Sequence, residues 1–238
     1  MEEIILKKKY RTLLFDIDDT LLDFGMAENA ALEKLFSTME GIELTDTVKQ
    51  DYKEFNQSLW KMMEQGKLSR ERLLSTRFTE FFKHEFGMNV DNDKMSKKYL
   101  LYLAQGHQEI SGARDLLEEL HKQSFELFIV TNGIESVQTK RLADSHFDTY
   151  FTNVFISEQT GYQKPKKEFF NYVFNNISDF ENDKSLIIGD SLTSDIAGGI
   201  NAGIDTMWFN PRYKKNLTKY MPNYTVHSLS EIKRQLNN

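Results

Sequence analysis

Apolar and polar positions along this chain follow two different periods. Thr12-Leu13-Leu14-Phe15 is a short continuous apolar run that stops abruptly at Asp16. A run of that kind is a strand buried on both faces, the habit of parallel sheets. From about Asp23 to His107 the period becomes helical. Val48, Tyr52, Phe55, Leu59 and Met62 recur at steps of four, three, four and three. Leu74, Phe78, Phe81 and Glu85 share a stripe with Phe82 beside it, and Met95, Tyr99 and Leu103 make another. The spacing predicts about four amphipathic helices around a Phe- and Leu-rich seam.

Beyond His107 strands and helices alternate. Ala113, Leu116, Leu117 and Leu120 fit one face of a helix. Glu126–Val130 reads as a buried strand ending in Thr131-Asn132-Gly133, followed by a helix over 135–145. Phe151–Ser157 is the next strand and Lys166–Ile177 the next helix, with Phe169, Phe170, Val173 and Phe174 facing in. Ser185–Ile188 is a strand ending in Gly189-Asp190, Thr193–Ala202 a helix, and Thr206–Phe209 a strand. A short strand at Tyr224–His227 and a helix from about Ser228 close the chain. Such alternation builds βαβ units, and right-handed crossovers put helices on both faces of the sheet. The predicted fold class is α/β: a doubly wound parallel sheet from residues 1–22 and 108–238. An all-helical module, residues 23–107, is inserted after the first strand and is too long to be a loop.

Composition narrows the function. The 238 residues include no cysteine, which excludes a disulfide framework, thiolate metal sites and a cysteine nucleophile. The net charge of −6 argues against a nucleic-acid polymer as partner in the absence of a strong local basic patch. No apolar run is long enough for a transmembrane helix, and the opening MEEIILKKKYR starts acidic with a very short apolar stretch. The reading is therefore cytoplasmic, without a membrane partner. The lysines at 7–9 read as a solvated edge before the first strand. The five histidines are scattered, with no HExxH, and there is no GxGxxG, P-loop or GxSxG.

The candidate chemistry lies at predicted strand ends, where doubly wound sheets bind ligands. These ends carry Asp16-Ile17-Asp18-Asp19-Thr20, Thr131-Asn132-Gly133, Gln163-Lys164-Pro165 and Gly189-Asp190 followed by Asp195. Two carboxylates about 4 Å apart repel by about 4 kcal/mol at an effective dielectric of 20. Asp16, Asp18, Asp190 and Asp195 brought together therefore call for a cation. Oxygen donors without histidine or cysteine suit a hard ion such as Mg²⁺. Thr131, Asn132 and Lys164 add a hydroxyl, an amide and an ammonium, which together cradle an anion. A metal, a cradle and a spare carboxylate make a phosphoryl-transfer site.

D-I-D-D-T, V-T-N, K-P and G-D-S followed by Asp195, in this order, resemble the four motifs of the haloacid dehalogenase superfamily. The resemblance covers about 10–22 and 108–238, and the inserted helices resemble that superfamily's helical cap on a Rossmann-like core. It implies Asp16 as nucleophile, Asp18 as general acid and base, and Thr131, Asn132 and Lys164 as phosphate ligands. It implies Mg²⁺ held by Asp16, Asp18 and Asp190, with Asp195 as a second acid behind them. The superfamily's dehalogenases lack the second acid, so Asp18 favours phosphate-ester hydrolysis. The stretches Leu59-Trp60…Gly66…Arg77-Phe78 and Gly199…Trp208-Phe209-Asn210 resemble the pyrimidine-nucleotide 5′-nucleotidase branch. On that resemblance the substrate is a small phosphate ester, a nucleoside 5′-monophosphate, with specificity supplied by the cap. Trp60 can stack on a base or pack in the cap core, and Lys67, Arg70 or Arg77 can reach a phosphate or pair within the cap. The rival readings are a sugar-phosphate phosphatase or phosphomutase on the same scaffold, and a non-catalytic phosphate- or partner-binding relic.

Overall fold

The computed structural model describes residues 9–236. The opening residues through Lys8, including two of the lysine run, lie outside the described residues. Two compact units emerge from the backbone contacts.

The first unit contains Met1–Leu22, Glu109–Glu135 and His146–Asn238. Its described residues form a six-stranded parallel sheet of β1 (Thr12–Phe15), β2 (Glu126–Thr131), β3 (Asn153–Ile156), β4 (Ser185–Gly189), β5 (Asp205–Phe209) and β6 (Tyr224–Val226). The strand order is β3-β2-β1-β4-β5-β6. From β1 the chain winds outward through β2 to β3, then crosses to β4 on the other side of β1. The ends of β1 and β4 therefore flank the switch point, where such sheets leave a crevice. Phe15 registers with Ile129 of β2 and with Ile188 of β4, so the polar residues that follow these strands emerge side by side.

Helices α5 (Ala113–Lys122), the single turn α7 (Ser157–Thr160), α8 (Lys167–Asn175), α9 (Ala197–Ala202) and α10 (Leu229–Leu236) belong to this unit. Ala113, Leu116, Leu117 and Leu120 of α5 are all buried. Phe169, Phe170 and Val173 of α8 pack with Leu14, Phe128, Val130 and Ile187 in one core cluster. The helix read at 193–202 is two pieces: a π-helical turn, Leu192–Ile196, and then α9. Helix α9 sits very close to its neighbours. A Cβ on Gly198 would fall 2.5 Å from the Phe170 ring, and one on Gly199 would fall 2.5 Å from methyls of both Ile187 and Thr206. Gly203, at φ +75°, ends the helix.

The second unit contains Asp23–Gln108 and Ser136–Ser145. It holds α1 (Phe24–Phe36), α2 (Asp46–Glu64), α3 (Arg70–Phe86), α4 (Asn92–Leu103) and most of α6 (Glu135–Ser145). Strand–helix alternation assigned 136–145 to the sheet module; the contacts group them with the helices. One link is local: the fully buried Arg141 donates from Nε to the Gly106 carbonyl at 2.6 Å. It also donates from Nη1 to Gln138 at 3.0 Å. Asp23, Thr45, Ser69 and Asp91 cap the first turns of α1 to α4 through their side-chain oxygens. Each cap satisfies an amide that the helix itself leaves unpaired.

The buried stripes are shifted from the sequence reading in two places. Met63 is buried where Met62 was expected, and Leu73 and Arg77 are buried while Leu74 lies at the margin. The shift arises because α2 and α3 carry a polar layer inside. Arg77 Nη1 donates to Asn56 Oδ1 at 3.2 Å, and Asn56 donates to Glu28 Oε1 at 2.8 Å. The Tyr99 hydroxyl donates to the same oxygen at 3.2 Å, and the guanidinium lies 4.7 Å over the Tyr99 ring. Burial holds the Glu28 carboxyl above its ordinary range. No described helix is long and apolar enough to cross a membrane.

Gly199→Ala tests the close packing of α9. Helix propensity favours alanine by about 1 kcal/mol. The overlap with two branched side chains on rigid strands costs more, so a net loss of about 2 kcal/mol is expected in urea denaturation. An unchanged or raised midpoint would show that α9 has room to move.

Candidate active site

Every polar strand end picked out in the sequence belongs to the sheet unit. Asp16 directly follows β1, its backbone N–H donating to the Ile188 carbonyl at 3.0 Å. That bond continues the ladder one residue beyond the strand and aims the carboxylate at the switch point. Its side chain meets Lys164, whose ammonium is almost wholly buried. Lys164 Nζ donates to Asp16 Oδ1, Asp195 Oδ1 and the Val130 carbonyl, each at 2.6 Å. All three ammonium protons are thus committed, two of them to carboxylates. A buried lysine needs such pairing, because an unpaired charge in this setting would lose its proton.

The chain holds Lys164 in place through Asn132. Asn132 Oδ1 accepts from the Lys164 N–H at 2.9 Å, and Asn132 Nδ2 donates to the Lys164 carbonyl at 3.0 Å and to Ser194 Oγ at 3.3 Å. This amide, expected to bind phosphate, is clamped on both backbone groups of the lysine. Thr131 is buried at the end of β2, and its Oγ1 accepts from the Gly133 N–H at 3.1 Å.

Asp190 follows β4, and the Trp208 indole N–H donates to its carbonyl at 2.8 Å. Asp195 comes from the π-helical turn. Ser191 opens the turn, its Oγ accepting from the Ser194 N–H at 3.2 Å. The Ser191 N–H donates to Asp195 Oδ2 at 3.1 Å. Gly189 makes room for this carboxylate, since a Cβ there would lie 2.2 Å from Asp195 Oδ2.

Asp16, Asp190 and Asp195 each offer a carboxylate oxygen within 4.8 Å of the others. The resemblance implies Asp195 behind the metal acids; Asp195 lies near Asp16 and Asp190, and its Oδ1 and Oδ2 accept from Lys164 and the Ser191 N–H. The Asp18 carboxylate is not among the three; it stands two residues beyond Asp16, partly exposed. Oxygen-only donors at this spacing fit a hard divalent ion and suit neither a soft metal nor a zinc site. Electrostatics say the same. Burial pushes the Asp16 carboxyl up to about 8, with Lys164 opposing and Asp195 and Asp18 adding to the rise. Burial, with Asp19, Asp195 and Asp16 nearby, holds Asp190 well above its ordinary range, and Lys214 opposes. Although burial works to lower it, Asp16 and Asp195 keep the Lys164 ammonium above its usual value. The cluster has more negative charge than Lys164 balances.

Three groups at this site carried no signal of their own in the sequence. They are the Val130 carbonyl, the Ser191 amide and, for its hold on Asp190, the Trp208 indole, which the sequence picked out only within the nucleotidase-branch stretch. Of the nucleotide-branch stretches, 199–210 lies in the sheet unit, and Trp60, Lys67, Arg70 and Arg77 lie in the helical unit. Trp60 packs against the cluster of Leu59, Met63 and Leu73, with Arg70 6.0 Å over its ring. Arg77 is an interior residue paired as described above.

A doubly wound sheet whose central strand ends carry a lysine-bridged carboxylate cluster is an α/β enzyme scaffold. The chain belongs to the haloacid dehalogenase-like hydrolase family, whose model matches residues 13–209. It is 49% identical over 230 residues to the HAD-hydrolase YfnB of Bacillus subtilis, covering 97% of each chain. It is 45% identical over 223 residues to the pyrimidine 5′-nucleotidase PynA of Streptococcus pneumoniae, covering 94% of this chain and 93% of that one. It is 30% identical over 228 residues to the pyrimidine 5′-nucleotidase YjjG of Escherichia coli, covering 96% and 98%. A magnesium-bound crystal structure of the Bacillus subtilis YfnB superposes with a TM-score of 0.91 over 97% of this chain and 100% of that one.

Binding of a divalent ion to this cluster should release a proton. The ion needs the carboxylates ionised, whereas burial pushes the Asp16 carboxyl up to about 8. Affinity is then highest above that pH and falls by up to about tenfold per pH unit below it. Calorimetric titration with magnesium between about pH 6 and 9, in buffers of different ionisation enthalpy, reads both the affinity and the proton count. Affinity independent of pH across that range would show that Asp16 is already ionised.

Proposed function

We propose that this protein is a magnesium-dependent phosphomonoester hydrolase that works through a phosphorylated Asp16 and acts on pyrimidine nucleoside 5′-monophosphates. The observation that carries the chemistry is the buried Lys164 ammonium joining Asp16 to Asp195 at the switch point of the sheet. A lysine in that position holds the Asp16 carboxylate in one orientation and supplies positive charge where a phosphoryl group must sit. The substrate class rests on the two pyrimidine nucleotidases, each similar over most of this chain.

In the first step an Asp16 carboxylate oxygen attacks phosphorus as the bond to the 5′-oxygen breaks. Asp18 gives its proton to that oxygen, so the nucleoside leaves as an alcohol. In the second step Asp18, now a carboxylate, takes a proton from water as the water oxygen attacks the phosphorus of the acyl phosphate. Asp16 is released as a carboxylate and inorganic phosphate as product. An acyl phosphate is a more activated ester than a serine phosphate, which makes this second step accessible to water. Asp16, Asp18 and Asp190 would hold the ion, with Asp195, engaged by Lys164 and the Ser191 N–H, behind them. When bound, the ion neutralises charge on the phosphoryl oxygens and the carboxylates. Lys164 orients Asp16, Asn132 fixes Lys164, and Thr131 borders the anion pocket at the end of β2.

The test is release of phosphate, with magnesium, from UMP, dUMP and dTMP alongside sugar phosphates and a small aryl phosphate. Preference for the pyrimidine nucleotides is the expected result. Preference for a sugar phosphate would keep Asp16 and Asp18 and replace the substrate class. Asp16→Asn should lower kcat by at least about 10³-fold and Asp18→Asn by about 10²–10⁴-fold, both with an unchanged melting temperature. Near-normal turnover by Asp16→Asn would remove it as the nucleophile.

A further inference from the structure

The chain from Thr206 to Ser230 contains no acidic residue, in a protein of net charge −6. It carries Arg212, Lys214, Lys215 and Lys219, all exposed. Two of these cations open onto the acid cluster, since Arg212 and Lys214 line one cleft with Asp19, Asp190 and Asn210. The loop that bears them is firmly built. The buried Asn210 accepts through Oδ1 from the Lys214 N–H and donates through Nδ2 to the Lys214 carbonyl, both at 2.9 Å. The Asn210 N–H donates to the Val226 carbonyl at 2.8 Å, and the Asn210 carbonyl lies 2.7 Å from His227 Nδ1. Tyr213, at φ +51°, stacks on the His227 ring with centroids 4.1 Å apart. Yet neither the Arg212 nor the Lys214 side chain makes an ion pair or hydrogen bond with another described residue. The loop backbone is fixed, and its two exposed cations border the cleft, where the Lys214 charge acts on Asp190 across space without an ion pair.

Formal charge says what they are for. Counted with every carboxyl ionised, Asp16, Asp18, Asp19, Asp190 and Asp195 stand against one lysine, Lys164. A divalent ion removes half of the excess, and a phosphate dianion approaching what remains would still be repelled. Arg212 and Lys214 balance the rest. We infer that Arg212 and Lys214 form an anion-collecting rim beside the acid cluster, which draws dianionic phosphate groups toward the site and holds released phosphate near it. This rests on the phosphate-ester reading above and adds to it the residues that set the encounter. Attraction of this kind is long-range and screened by salt, whose Debye length is about 10 Å at 0.1 M and about 3 Å at 1 M.

The experiment compares the wild-type protein with R212Q/K214Q, using the phosphate ester the wild type hydrolyses best, across a salt series. At low ionic strength the variant should lose about fivefold in kcat/KM through KM, with kcat within about twofold. The two proteins should converge near 1 M salt. The inhibition constant of inorganic phosphate should rise by the same factor, and the melting temperature should stay put, because the replaced groups hold nothing together. Equal salt dependence in the two proteins, or a loss confined to kcat, would overturn the rim while leaving the hydrolase reading intact. If the wild type hydrolyses no ester, the hydrolase reading fails on its own. Calorimetric binding of inorganic phosphate then decides the rim, with equal affinities in the two proteins counting against it.

Discussion

The ammonium of Lys164 is the constraint on which the rest of the site depends. It is buried, charged, and fully used by two carboxylates and one carbonyl. In such a setting each partner needs the others: without Lys164 two acids face each other unpaired, and without either acid the lysine is a costly buried charge. The sheet satisfies this condition from three elements at once. Strand β1 delivers Asp16, β2 delivers the Val130 carbonyl, and the turn after β4 delivers Asp195. Parallel register between β1 and both neighbours is therefore a requirement of the lysine–carboxylate cluster as well as of the fold. Asn132 completes the arrangement by gripping the lysine's own backbone from both sides.

The helical unit shows the same economy of polar groups in its interior. Glu28, Asn56, Arg77 and Tyr99 join four helices, α1 to α4, through side-chain hydrogen bonds inside an aromatic seam in which Tyr52 stacks on Phe78 at 5.6 Å. Directional bonds of this kind fix which faces of α1, α2 and α3 meet, a choice that rings and methyls alone leave loosely specified. The cost of burying these groups is recorded in the raised Glu28 carboxyl.

Strand positions were legible because parallel strands write themselves as unbroken apolar runs, and Leu13, Leu14, Ile187 and Ile188 leave no ambiguity of face. The four helices between Asp23 and His107 were legible for the matching reason, a period near 3.6 sustained without proline. What the pattern misread was the polar interior. A search for apolar stripes passes over Asn56 and Arg77, so the buried face of α2 and α3 came out a residue askew. At the site, the ordered aspartates and Lys164 could be read as a set because acids at successive strand ends have no other common cause. The second role of Asn132 could not be read, since an amide clamped on a lysine backbone leaves the same letter as one turned to a ligand. Nor could the place of α6, whose buried face includes Arg141 reaching the Gly106 carbonyl far back in the chain.

The widened turn after β4 carries a consequence for how this chain can vary. Both the Asp195 and Ile196 amides donate to the Ser191 carbonyl, at 3.0 and 3.1 Å, so the turn holds one residue more than an α-helical turn would. That extra residue sets the angle at which Asp195 points back toward Lys164. In an alignment of active relatives, the interval from Gly189 to Asp195 should be free of single-residue gaps even where the surrounding loops change length. A gap confined to that interval would then mark a chain that has kept the architecture and given up the chemistry.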